Sequence, residues 1–407
     1  MKLRDDPPLH LTYCLNIHSG ETWEENLAAI RNHAAKVRDA TANGKPFGLG
    51  LRLSNIAACT LAERPKLEHF KQFLRDQNMY VFTINGFPYG TFHGKPVKET
   101  VYQPDWRTPE RRDYTIMLSD ILAELLPEGV PGSISTVPCS YKEWMARPKP
   151  AAIADCRLPI ADLKNAGDVA LMAENLLNCA AHLRQIRQET GKDISLALEP
   201  EPDCVLETSS EVVLFFNNYL RPLCEKHLAS GNNVLRHLGV CFDTCHLAVQ
   251  FENLQTSLTK LRKAGINIPK IQVSAALTTR STESSLRELE PFYDRVYLHQ
   301  LRVRNEQGEV TRYKDLSPDI LKGLKGSEGS ELRAHFHVPL YFTGTGSLKS
   351  TASDLTKSFF DAVLGGGIPH IEIETYTFDV LPASLRSLSV TESIVKEYEW
   401  VLKAVGH

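Results

Sequence analysis

The chain has 407 residues, of which 46 are basic and 49 acidic, for a formal charge of −3. This near balance, without a block of five or more Lys or Arg, gives no basic surface for tight, sequence-independent binding to nucleic acid. No run of about 18 apolar residues marks a membrane span, and the opening Met-Lys-Leu-Arg-Asp-Asp-Pro-Pro lacks the apolar core of a signal peptide. Nine scattered cysteines with no CxxC pair suit a reducing compartment better than a disulfide framework. The expectation is a cytoplasmic protein whose partner is a small molecule, with homo-oligomers compatible with the sequence.

Residues 11–17 read as a first strand, and the Leu27, Ile30, Ala34 and Val37 spacing predicts a helix over 23–42. A strand at 47–53, a helix over 61–78 with Thr60 as N-cap, and a strand at 80–86 follow. Residues 87–107, rich in Gly, Pro and aromatics, form a long ordered loop. Next come a helix over 109–126, a strand at 133–137, a Pro-rich surface excursion around 147–152 and a helix over 166–190. The strands at 194–199, 238–243 and 271–274 are separated by helices over 209–220 and 254–264. The alternation then breaks. Residues 295–303 and 310–313 flank a Gly-containing turn and read as a hairpin within an insertion spanning 276–333, which returns at 334–340. A helix over 353–363, a strand at 371–374 and a helix over 391–405 complete the chain. This order predicts an α/β fold, one (β/α)8 TIM barrel over residues 1–407. Its insertion, between the seventh and eighth strands, would cover the barrel mouth or pack on a neighbouring subunit.

The chemistry gathers at strand ends. Gly239-Val-Cys-Phe-Asp-Thr-Cys-His246 is an apolar run that presents Asp243 and His246 where a buried strand needs neither, and the pair suits a divalent cation. Glu199 ends another apolar run, held extended by Pro200, with Glu201 as its rival. Glu374 ends a third, and Glu372 shares its face by strand alternation. Gln272 is at best a weak ligand through its amide oxygen, and a core glutamine bonding a neighbouring barrel residue is a nearly equal reading. His335 and His337, in His-x-His, share a face of an extended segment and would grip a metal or a substrate hydroxyl or phosphate. His18 and Asn85 stand at strand ends where they would line a pocket, and turn chemistry is an equal reading for each. His299, on the insertion, has an open role. Cys241 and Cys245 flank Asp243, which raises a thiolate metal site as an alternative.

These residues resemble the xylose-isomerase-like barrels, which include sugar and sugar phosphate isomerases and epimerases and the endonuclease IV group. The resemblance implies metal ligands at Glu199, Asp243 and Glu374. It makes His246 a substrate-side or second-metal residue and His335 and His337 a late-loop pair. It also implies a divalent cofactor (Mn, Mg or Zn). Gln272 stands where the family's usual histidine from the seventh strand is expected, and Asn85 and Pro138 replace histidines that a three-zinc cluster would use, which argues against endonuclease chemistry. Over nearly its whole length, from Leu-Asn-Ile-His18-Ser-Gly-Glu-Thr-Trp to Ile-Glu-Thr-Tyr-Thr, the chain is similar to the E proteins of ebo-type metabolite traffic gene clusters. The expected activity is metal-dependent isomerisation or epimerisation of a sugar-like or carbonyl metabolite, with Glu199 and Glu374 as base and acid. The alternatives are a non-catalytic metabolite-binding barrel and a metal-dependent phosphoesterase of the endonuclease IV kind.

Overall fold

The computed structural model describes residues 1–145, 166–227 and 234–407; the excursion around 147–152 lies outside them. The strands up to the insertion are β1 (Lys2–Arg4), β2 (Leu9–Tyr13), β3 (Phe47–Arg52), β4 (Met79–Asn85), β5 (Gly132–Thr136), β6 (Ile194–Leu198), β7 (Leu238–Asp243) and β8 (Asn267–Val273). After them come β9 (Ala276–Arg280), β10 (Leu301–Arg304), β11 (Val310–Tyr313), β12 (Glu331–His337), β13 (Lys349–Ser350) and β14 (His370–Ile373). Nine strands form one sheet in the order β1-β2-β14-β8-β7-β6-β5-β4-β3, parallel except for β1. A parallel bridge between Cys14, just after β2, and Gly50 of β3 joins the outermost parallel strands, so the sheet curls into a nearly closed TIM barrel. Runs such as Leu9–Tyr13 and Leu238–Asp243 are buried on both faces because side chains fill the interior and helices cover the outside.

Predicted and observed elements differ in instructive places. The first strand stops at Tyr13, and residues Leu15–Ile17 tighten into a 3-10 turn that swings Asn16 over the mouth. Thr60 lies inside a helix, Asn55–Leu61, capped by Ser54, while Glu63 begins the next, Arg64–Asp76. Within the barrel, Lys270 and Glu372 form a fully buried ion pair at 2.5 Å. Gly50 makes room for it: a Cβ there would stand 2.2 Å from Glu372 Oε1.

Residues between β8 and β14 build a second, antiparallel sheet in the order β11-β10-β12-β9-β13. Only the β10–β11 part of it resembles the predicted hairpin, whose first arm begins at Leu301. The sheet is tied to the barrel through Glu207, which is fully buried and holds Lys142, Arg302 and Arg312. At the closing helix, Val390–Ala404, Glu397 accepts from Thr375 Oγ1 (2.7 Å) and Leu340 N (3.1 Å). Burial pushes its carboxyl up from 4.5 to about 7. The folded state therefore keeps a proton that the unfolded chain releases, and stability falls as pH rises from about 4.5 to about 7. Glu397→Gln is expected to flatten that fall; thermal melts at pH 5 and pH 8 measure it.

Candidate functional site

Three strand ends bring their carboxylates together. Ligand oxygens of Glu199 (after β6), Asp243 (the end of β7) and Glu374 (after β14) lie within 4.8 Å of one another, all buried. Each has one oxygen fixed or near a neighbour and one left over. Asp243 Oδ1 accepts from His246 N (2.9 Å), capping helix Thr244–Val249, and from Ser274 Oγ (2.8 Å). Asn16 Nδ2 donates to Glu374 Oε1 at 2.7 Å. Glu199 Oε2, Asp243 Oδ2 and Glu374 Oε2 are buried without a hydrogen-bond partner among the described residues. Buried carboxylate oxygens left so are costly unless a cation takes them. Burial first, then mutual repulsion, pushes the Glu199 and Glu374 carboxyls well up; Asp243 rises through burial. Lys270 is paired with Glu372, whereas Glu374 is grouped with Glu199 and Asp243. An all-oxygen set with unpartnered donors fits a divalent metal ion.

Beside this cluster stand three imidazoles. His246 Nδ1–H donates to the Pro200 carbonyl (3.0 Å), and His337 Nδ1–H to the Glu374 carbonyl (2.9 Å). His335 Nδ1–H donates to Gln300 Oε1 at 2.7 Å; the Gln300 amide is oriented by donating to the Pro202 carbonyl. A carbonyl oxygen only accepts, so these bonds place the proton on Nδ1, and the Nε2 atoms of His335 and His337 stand 3.2 Å apart. Burial lowers His246 to about 3 and His337 to about 4, and His335 falls well below the usual range. Asp243, His246 and His337 form one close group, and Glu201, His246 and His335 another. Tyr102 donates to Glu201 Oε1 (2.7 Å), and burial lifts the Glu201 carboxyl to about 8. Cys245 lies within the same 4.8 Å reach of His335 and His337, whereas Cys241 donates to Gln272 Oε1 at 2.9 Å.

The remaining predicted residues fall outside this convergence. Gln272 is not brought into it: its amide oxygen is taken by the Cys241 thiol. His18 turns away, its Nε2 on the Tyr13 hydroxyl (2.9 Å) and its ring stacked on His33 at 4.4 Å. Asn85 lines the cavity, but its Oδ1 accepts from Phe87 N, holding its own loop. His299 supports the pair from behind, with Nδ1–H on the His335 carbonyl and Nε2 against Asp294. Sequence reasoning missed Asn16, Gln300, Tyr102 and Tyr376. Tyr376 had a signal, since it lies two residues beyond Glu374.

The cavity over the site is only about 50 Å³ and is lined by Asn16, Glu199, Glu201, His246, His335 and Glu374. Phe92, Val97 and Tyr297 pack across its opening with Tyr376. Val97 N and Lys98 N bond the Val296 carbonyl, while Lys98 Nζ reaches the Asp294 and Tyr297 carbonyls and Asp315. The long loop is thus latched to the insertion. Lys98→Ala is expected to speed amide exchange across 92–102 more than tenfold, read by hydrogen–deuterium exchange at constant melting temperature.

No family model matches the chain, and no curated protein sequence matches it. Among solved structures it is similar to a xylose isomerase-like TIM barrel protein from Mycobacterium smegmatis in complex with magnesium. The identity is 9%, the match covers 98% of this chain and 96% of that one, and the TM-score is 0.52. A protein designated SMc04130 from Sinorhizobium meliloti 1021 (11% identity, 97% and 98% covered, TM-score 0.47) and a D-tagatose 3-epimerase-like protein (11%, 98% and 100%, 0.44) also match. At such identities the likeness is one of fold: the chain has the fold of a xylose isomerase-like TIM barrel. No helix among the described residues is long and apolar enough to cross a membrane.

Proposed function

We propose that the protein is a divalent-metal-dependent isomerase or epimerase of a small polyhydroxylated or carbonyl-bearing metabolite. The observation that carries this is the convergence of Glu199, Asp243 and Glu374 with one buried, unpartnered oxygen each. These residues would hold Mn²⁺, Mg²⁺ or Zn²⁺, which when bound polarises a carbonyl or hydroxyl oxygen. Glu199 and Glu374, on strands separated by β7 and β8, would act as base and acid at a substrate carbon. Asn16 fixes Glu374 in place, and the aromatic cover keeps water from the reacting carbon once substrate is in. In this reading residues 1–407 act as one unit, and the 276–333 segment contributes Tyr297 to the cover, with His335 and His337 just beyond it at the end of β12.

A second reading is favoured by the small, roofed cavity: a barrel that encloses a metabolite without converting it, as the resemblance to metabolite traffic proteins implies. A panel of sugars and sugar phosphates in D₂O separates the two. Metal-stimulated deuterium incorporation at a substrate carbon, lost in Glu199→Gln, supports the enzyme; binding without exchange supports the carrier. Duplex DNA with abasic sites is expected to stay uncut at physiological salt, since the roof and the near-balanced charge oppose it; incision would restore the phosphoesterase reading.

A further inference from the structure

The cavity over the carboxylates holds about 50 Å³. Pockets that enclose a metabolite measure roughly 300–1,000 Å³, so room for one has to be made. Floor and roof are not equally able to yield. The floor stands on barrel strand ends, with Asp243 held by His246 N and Ser274 Oγ and Glu374 held by Asn16. The roof instead joins side chains from three separate segments: the 87–107 loop, the insertion and the stretch after β14. Its rings Phe92, Tyr297 and Tyr376 lie 5.2, 5.4 and 5.1 Å apart, centroid to centroid. Phe92, Val97 and Tyr297 form an apolar cluster of their own, with Tyr376 packed against it, apart from the core of the barrel. Space gained by parting the roof is therefore walled by aromatic and aliphatic groups. We infer that the metabolite is uncharged and amphipathic, with a hydroxylated or carbonyl end at the carboxylate site, an apolar ring or chain under the roof, and no phosphate.

The charges around the cavity point the same way. A phosphate is held by ammonium or guanidinium groups or by free N–H donors. Among the lining residues Lys98 is the one cation, and its ammonium hydrogens are taken by the Asp294 carbonyl (3.0 Å), the Tyr297 carbonyl (2.6 Å) and Asp315 (2.7 Å). Arg52, behind Phe92, is paired with Glu21 at 3.0 Å, and Lys270, inside the barrel, with Glu372. The imidazoles of His246, His335 and His337 have their Nδ1–H groups on the Pro200 carbonyl, Gln300 Oε1 and the Glu374 carbonyl. When neutral they offer a ligand acceptors only. Glu199, Glu201 and Glu374 share the same lining and oppose an anion further. An apolar group meets none of these obstacles: it leaves water for ring faces, and the rings that part for it keep a packed neighbour.

This narrows the proposed function and rests on it, and three α-hydroxy ketones with a common head test it. 2-Hydroxyacetophenone, hydroxyacetone and dihydroxyacetone phosphate carry the same hydroxymethyl ketone beside a phenyl, a methyl or a phosphate-bearing methylene group. Each is titrated by isothermal calorimetry into the full-length protein, loaded with Mn²⁺ and desalted. The phenyl ketone is expected to bind at least about tenfold tighter than hydroxyacetone, from the added apolar surface it buries, and the phosphate to bind no tighter than hydroxyacetone. Phe92→Ser should cut the phenyl preference to under about threefold at unchanged Mn²⁺ affinity, because a ring face is lost and no carboxylate is touched. Tyr297→Ser repeats this arm should Phe92→Ser fail to fold. Tightest binding of the phosphate overturns the inference. So does a phenyl preference that is absent or that survives the substitution, and so does failure of all three probes to bind the Mn²⁺-loaded protein; each of these leaves the carboxylate reading intact. A wild type that takes up no Mn²⁺ removes the carboxylate reading instead. The same order of probes on that metal-free protein then upholds the amphipathic pocket, and any other order overturns it too.

Discussion

Asp243→Asn is expected to lower metal affinity at the carboxylate site by more than about 100-fold, the upper end of what losing a supporting shell residue alone costs. The substitution isolates charge from structure. Asp243 Oδ1 caps helix Thr244–Val249 and accepts from Ser274, and Asn caps as well as Asp, so those bonds persist. Alanine would remove the cap at about 0.5–2 kcal/mol and confuse the result. Two melts should move in opposite directions. Without metal, the Asn variant melts higher than wild type, because one of three crowded carboxylates is gone. With metal it melts lower, losing the linkage term of about 2.7 kcal/mol at metal 100-fold above the dissociation constant. Isothermal titration calorimetry reads the affinity, and equal affinity in the two proteins would remove Asp243 from the ligand set.

The second large effect is structural. Glu207→Ala removes the counter-charge shared by Lys142, Arg302 (3.4 Å) and Arg312 (2.6 Å). Gln250 Nε2 and Asp203 N also lose an acceptor, at 2.8 and 3.1 Å. Breaking a buried pair from one side costs about 3–5 kcal/mol, and Arg302 is itself fully buried. Burial alone would raise the Glu207 carboxyl; Lys142, Arg312 and Arg302 outweigh it and hold it at about 2 against 4.5 unfolded. Its contribution is therefore full above about 4.5 and is lost as pH falls toward 2. Denaturation at pH 7 should show the whole deficit, and melts near pH 3 a smaller one. Because Arg302 sits on β10 and β10 pairs with β12, the variant should also loosen His335 and His337.

The barrel was legible because parallel strands covered on both faces are written as short apolar runs of even spacing. The carboxylates at their ends were legible for a related reason: a charge terminating such a run stands out, although at Asp243 it also caps the helix that follows. Other members of the site were not. Asn16 belongs to a 3-10 turn that reads locally as a continuation of β2, and only tertiary packing turns it onto Glu374. Gln272 lies level with Asp243 in the sheet register, so spacing alone made it a ligand; the Cys241 thiol claims its amide. In the second sheet, β9 and β13 escaped notice because their partners are distant in sequence, and β-pairing of that kind leaves little local signal. His335 and His337 were visible as an alternating pair, yet nothing in the sequence indicated that their Nε2 atoms meet.

The account turns on a cation held by Glu199, Asp243 and Glu374, and anomalous diffraction from a crystal grown with Mn²⁺ tests this most directly. The predicted result is a peak at about 2.0–2.3 Å from one oxygen of each carboxylate, inside the ring that Asn16 and Ser274 hold in place. A fully loaded crystal with no peak there, and with the three carboxylates hydrogen-bonded to one another through shared protons, would contradict it.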